Sequence, residues 1–120
     1  MRDHTKLRAF ELADALVFTT YRATAGFPQS ELFGLASQMR RAAIGTASNI
    51  VEGCARNSRR DYVRFLDIAY SSARELEYQA SLAHRLGYLD DRVHAELRSA
   101  CIETSKVLGG LVRSLRDGRT

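Results

Sequence analysis

The chain has no tryptophan, one proline and two cysteines, and none of its apolar runs exceeds a few residues. Each shortage excludes something. Cys54 and Cys101 are far apart, so they make neither a zinc ligand set nor a disulfide framework. They read as small buried apolar side chains in a reducing compartment. A membrane-spanning helix needs about 20 consecutive apolar residues, and no such run exists. The N-terminal stretch MRDHTKLRAFELADALVFTTYRA carries charges throughout and lacks a secretory core. No signal peptide is therefore expected, and the expected location is the cytoplasm.

Sequence marks of catalysis are equally sparse. A di-iron bundle needs Glu-x-x-His pairs to point ligands inward, and the chain has none. No Gly-rich phosphate loop precedes a helix, and no Ser or Cys nucleophile has an evident base. His4, His84 and His94 are scattered, and no acid–base pair is expected from them within one chain. Helical ribonucleases of the HEPN type pair an Arg with a His after a gap of four to six residues, a spacing absent here. A non-enzyme with no metal and no cofactor is expected.

What is present is helical periodicity in a chain of 120 residues, enough for one domain with one core. The first helix is expected over about 6–25, with Phe10, Ala13, Val17, Thr20 and Thr24 on one stripe and Leu16 and Tyr21 beside it. Gly26-Phe27-Pro28 stops it. The second is expected over 30–54, with Ser30 as N-cap and Leu32, Leu35, Met39, Ala43, Thr46 and Ile50 inward. Ser58 and Asp61 approximate a capping box that opens a third helix over 58–86. Its inward positions are Tyr62, Phe65, Ala69, Ser72, Leu76, Ala80 and Ala83, and Gly87 is its C-cap. The fourth spans 91–116, with Val93, Leu97, Cys101, Thr104, Leu108, Leu111 and Leu115 in heptad-like spacing. Four long helices with short turns, and no strand-like alternation, predict an all-α, antiparallel up-down-up-down four-helix bundle.

That topology places the charges. We call the end with the N-terminus and the second turn the lower end. Arg2, Lys6, Arg8, Arg56, Arg59, Arg60, Arg64, Arg113, Arg116 and Arg119 gather there, against Asp3, Glu11, Glu52, Asp61 and Asp117. Glu31, Asp90 and Asp91 fall at the upper end. Residues 36–66 carry net +4, residues 67–103 net −3 and residues 104–120 net +3, so the total of +4 understates a polarised molecule. The lower end reads as an anion-attracting face, with Arg56, Arg59, Arg60, Arg64, Arg113 and Arg116 as candidate nucleic-acid contacts. Tyr62 either stacks on a base there or belongs to the core. Two blander readings compete. Arg dominates the basic residues, 16 of 18, as a genome rich in G and C would favour. Arg near helix C-termini also complements helix dipoles.

Arg40 and Arg41 lie midway along the second helix, where an ion pair of Arg41 with Asp14 or with Glu75 would fix register. The small residues Ala42, Ala43, Gly45, Thr46, Ala47 and Ser48 allow close approach of another helix, within the bundle or from a second subunit. Gly109-Gly110 weakens the fourth helix, which suggests close packing there, a subunit interface being one candidate.

The segment FPQSELFGLASQMRRAAIGTASNIVEGCAR resembles the signature of the 23S rRNA intervening-sequence protein family, small bacterial four-helix bundles. Phe27, Pro28, Glu31, Gly34, Gln38, Arg40, Arg41, Asn49, Ile50, Glu52, Gly53 and Arg56 carry the likeness. Phe65, Leu66, Glu75, Leu76 and Leu86-Gly87-Tyr88-Leu89 extend it, followed by Lys106, Leu108 and Gly110. Gly45, Ala47, Ser71 and Ala73 depart from the usual residues. The resemblance implies a ring-forming bundle, expected to be a homopentamer. It also brings in related basic pentamers that serve diversity-generating retroelements by binding nucleic acid and a reverse transcriptase. Asn49 and Glu52 either hydrogen-bond the adjacent turn or line the basic end of the oligomer. The function expected is binding of RNA or DNA, with RNA preferred. A scaffold for an acidic protein partner is the alternative.

Overall fold

Helical periodicity broken by well-marked turns yields four helices in the computed structural model, which describes residues 2–118. They are α1 (Arg8–Thr24), α2 (Leu35–Cys54), α3 (Arg59–Arg85) and α4 (Asp91–Arg116). α1 packs on α2 and α4, and α3 packs on the same two, while the backbones across either diagonal stay apart. The result is the expected all-α antiparallel four-helix bundle, 45 × 22 × 19 Å. No described helix is long and apolar enough to cross a membrane.

Helix ends follow local chemistry. Ser58 Oγ accepts from Asp61 N–H (3.1 Å) and Asp90 Oδ1 accepts from Val93 N–H (2.8 Å), capping α3 and α4. Gly87 adopts φ +83°, a left-handed value that favours glycine. It lets Tyr88 N–H reach back to the Ala83 carbonyl at 2.9 Å.

The second helix departs from expectation. Ser30 does not cap it; Gln29–Glu31 form a 3₁₀ turn and the helix starts at Leu35. The reason is Glu31, whose Oε1 accepts from Leu35 N–H at 3.1 Å. A Cβ on Gly34 would lie 2.6 Å from that same oxygen. Leu32 therefore sits in the connection and is exposed rather than inward. Glu31 Oε2 also accepts from the Tyr88 hydroxyl at 2.9 Å, and this bond lifts the Tyr88 pKa. The Tyr88 ring packs 5.3 Å from Phe27. One carboxylate thus ties both upper turns together.

The core falls into two clusters. The upper one centres on Leu16, Met39, Leu76 and Leu97, the lower on Ile50, Leu66, Leu108 and Tyr62. Between them lie Thr46, Ala73 and Thr104, all buried. Both threonines return their hydroxyls to the carbonyl one turn back, at 2.9 and 2.8 Å. Cys54 and Cys101 are free and buried. Burial raises both thiols, Cys101 to about 12. Tyr21, expected beside the α1 stripe, is exposed.

Candidate nucleic-acid interface

The turn from α2 to α3 and the end of α4 bring Arg59, Arg60, Arg64 and Arg116 around one groove of about 510 Å³, with Asp67 on its wall and Val63 and Leu115 completing its lining. Arg59 and Arg60 belong to the first turn of α3. Arg59 also donates to the Leu115 carbonyl at 3.4 Å, bridging α3 to α4. Arg56 is not among the groove's lining residues, but its guanidinium carbon and that of Arg64 lie 4.8 and 4.6 Å from the Phe65 ring centroid.

Tyr62 is not available for stacking. The residue is 3% exposed, and its ring is covered by the Arg2 guanidinium at 4.0 Å. Its hydroxyl shares a hydrogen bond with Cys54, and burial pushes its pKa up to about 12. Arg2 is held in place as well: its N–H donates to the Cys54 carbonyl (2.9 Å) and its Nη1 to the Arg56 carbonyl (3.2 Å). It thereby satisfies acceptors at the end of α2.

Several cations are locally balanced. Arg56 pairs with Glu52 and Arg116 with Asp67, while Arg64 lies 3.8 Å from Asp61. Arg8 reaches Glu103 at 3.4 Å. All these pairs are exposed, where ion pairs are weak and screened. Arg60 makes no ion pair among the described residues. Arg119, assigned to this end from the sequence, lies outside the described residues. Arg113 is not part of the same groove; it lines a separate one between α3 and α4.

The motif residues are structural in their contacts. Consecutive helix positions point about 100° apart, and this divides Arg40 from Arg41. Arg40 faces α1, donating to Thr24 Oγ1 (2.9 Å) and lying 4.7 Å from the Tyr21 ring. Arg41 faces α3 and shares a groove with Glu75. The expected ion pair of Arg41 with Asp14 or Glu75 does not form among the described residues, and Arg41 and Glu75 are both exposed. Of the two readings of Asn49, the bond to the adjacent turn does not form; its Nδ2 donates to the Gly45 carbonyl at 2.7 Å, inside α2. Glu52 holds Arg56. Gly53 marks a close approach of α2 to α3: a Cβ there would lie 3.0 Å from Phe65 Cβ and 3.2 Å from the Tyr62 carbonyl oxygen. Gly109 and Gly110 differ, because a Cβ on either meets nothing closer than 3.4 Å. Close packing within the chain is therefore not their reason.

Two histidines do converge, against the sequence expectation. His84 at the end of α3 and His94 at the start of α4 stack at 4.2 Å with 13° between ring planes. The Gly87 turn folds these two helix ends together. His84 Nε2 contacts Asp91 Oδ1 at 2.6 Å. Burial, then the neighbouring His84, lowers the His94 pKa. Among the described residues no group of three His, Cys, Asp or Glu side chains is placed to hold a metal ion.

Comparison with known proteins places this geometry in a family. No functionally curated protein matches the chain. A solved structure of a protein of unknown function from the S23 ribosomal protein family of Bacteroides thetaiotaomicron superposes with a TM-score of 0.78. It is 21% identical, and the match covers 87% of this chain and 97% of that one, a likeness of fold. The family model described as 23S rRNA-intervening sequence protein matches residues 5–110, and the chain belongs to that family.

Proposed function

We propose that the protein is a non-catalytic, homo-oligomeric, cytoplasmic nucleic-acid-binding protein that holds structured RNA with its Arg-lined lower end. The observation that carries this reading is the position of Arg59 and Arg60. They occupy the first turn of α3, where the helix dipole disfavours cations and favours anions. The dipole argument that accounts for Arg113 and Arg116 at the end of α4 also accommodates Arg59, which bonds the Leu115 carbonyl there, but it works against Arg60. The placement of Arg60 makes sense if a phosphate sits between it and the helix N-terminus, with Arg59 beside it. Arg56, Arg64 and Arg116 extend the same surface, and their exposed acidic partners can be exchanged for phosphates at little cost.

The family resemblance supports a ring, with five subunits as the expected number. Large exposed side chains, Phe33 at 92%, Tyr78 at 61% and Phe18 at 59%, give such a ring apolar surface to bury. Repeating the rim around a ring would raise the affinity of individually weak sites.

Fluorescence anisotropy of the purified protein with structured RNA and with duplex DNA, at several salt concentrations, tests the reading. Binding should weaken steeply with salt, and reversal of Arg56, Arg59, Arg60 and Arg64 to Glu should remove it. Equal affinity in that variant would reject the surface. The second reading, a protein-interaction scaffold, is favoured by the near-complete exposure of Phe33. It predicts negligible RNA and DNA binding at low salt and a co-purifying acidic partner.

A further inference from the structure

A second groove, of about 600 Å³, runs between α3 and α4 above the Arg rim. Its charges do not cancel. Arg74 lies 3.5 Å from Glu77 and donates to the Tyr70 hydroxyl at 3.1 Å. Lys106 and Arg113 line the same groove and make no ion pair among the described residues. Three cations against one carboxylate leave net +2 in the groove.

Three further features converge. Ser105 is buried to 6% exposure, and its Oγ has no hydrogen-bond partner among the described residues. Its neighbour Thr104, like Thr20, Thr24 and Thr46, instead returns its hydroxyl to the carbonyl one turn back. The Arg113 guanidinium folds back along α4, toward Lys106. Its Nη1 lies 3.4 Å from where a Gly109 Cβ would stand, and Nη2 lies 3.9 Å from a Cβ on Gly110. The Tyr70 ring edge is 3.5 Å from that same Gly109 position. The guanidinium and the Tyr70 ring edge thus both lie beside the bare backbone of Gly109, at distances a Cβ there would meet as ordinary contacts.

We propose that this groove binds a phosphomonoester of mononucleotide size. Lys106 and Arg113 hold the phosphate, Ser105 Oγ–H donates to one of its oxygens, and the organic group lies along Tyr70 toward Glu77. A phosphomonoester carries close to two negative charges at neutral pH, which matches the net +2 of the groove; an internal phosphodiester carries one. Inorganic phosphate alone would leave most of a groove this size empty. Such a group is carried by a free nucleotide or by the 5′ end of a nucleic acid strand.

Isothermal titration of the full chain with AMP, inorganic phosphate and adenosine at low salt tests the assignment. AMP should bind, phosphate should bind more weakly, and adenosine should give no heat. Lys106→Gln and Arg113→Gln should each weaken AMP by about tenfold, the loss of one charge-assisted hydrogen bond. Both positions are exposed, and circular dichroism of each variant checks that the fold is kept. A 5′-phosphorylated oligoribonucleotide preferred over its 5′-hydroxyl form, with the preference lost in Arg113→Gln, would make a strand end the source. No such preference, with AMP still bound, would make it a free nucleotide. Absence of heat with both AMP and phosphate overturns the proposal, whether the groove is idle or covered by a second copy. Binding unchanged in both variants overturns it as well.

Discussion

Gly53 and Gly109 show how far one hydrogen atom in place of a methyl group can mean opposite things. At Gly53 a methyl would press on Phe65 Cβ and on the Tyr62 carbonyl, which belongs to rigid backbone. Gly53→Ala should lower stability by about 1–3 kcal/mol through overpacking. At Gly109 the nearest atom is the flexible end of Arg113. Gly109→Ala should raise stability by up to about 1 kcal/mol through helix propensity. Chemical denaturation of the two variants reads both signs, and equal effects would reject the packing argument. Both glycines are plain in the sequence, but only the interhelical distance separates them. His94 is the other case. His84 and Asp91 face it closely, with Arg98 on its own helix. Its folded pKa lies below its ordinary value of 6.5, so the unfolded chain takes up the proton first. The stability from neutral His94 is complete above about pH 6.5 and is lost as pH falls from there through the depressed folded value. Denaturation midpoints in wild type should drop across that window more than in His94→Gln, and parallel profiles would refute the assignment.

At the scale of the element, helix ends carry the information. Ser58, Asp90 and Gly87 mark the starts and stops of α3 and α4 as their residue types predict. α2 does not follow Ser30, because a carboxylate four residues before Leu35 outcompetes a serine for the first free N–H groups. Glu31→Gln keeps an acceptor and should cost little, whereas Glu31→Ala removes both the Leu35 cap and the Tyr88 bond. A loss of about 1–2 kcal/mol is expected for the alanine variant. Thermal unfolding of the pair checks it, and equal melting temperatures would mean that the tie contributes nothing. The capping role of Glu31 was hidden because a sequence shows candidate caps without showing which side chain reaches the backbone.

For the whole molecule, polarity is the property with consequences. The lower end gathers cations from the α2–α3 turn and the end of α4, with α2 and α4 both running down to it. The expected RNA affinity should therefore respond to ionic strength with a slope set by the number of phosphates neutralised, roughly 0.7 per contact for unpaired segments and roughly 0.9 for paired ones. The double variant Arg59→Glu/Arg60→Glu should flatten that slope in the anisotropy titration. A slope unchanged from wild type would move the contact surface elsewhere.

The bundle, its helices and most of its inward positions were legible from the chain, because a 3.6-residue period and a few turn residues act locally. So was the family, through the run from Phe27 to Arg56. The state of the individual charges was not. Arg116 finds Asp67 across 49 residues and Arg8 finds Glu103 across 95. Among the described residues Arg41 makes no ion pair although it lies beside Glu75, and His84 meets His94 although the sequence suggested no pairing. Long polar side chains choose partners by interhelical register and rotamer, which emerge only when the helices pack. For the same reason Arg113, counted from the sequence with the rim, turns over Gly109 into a groove of its own.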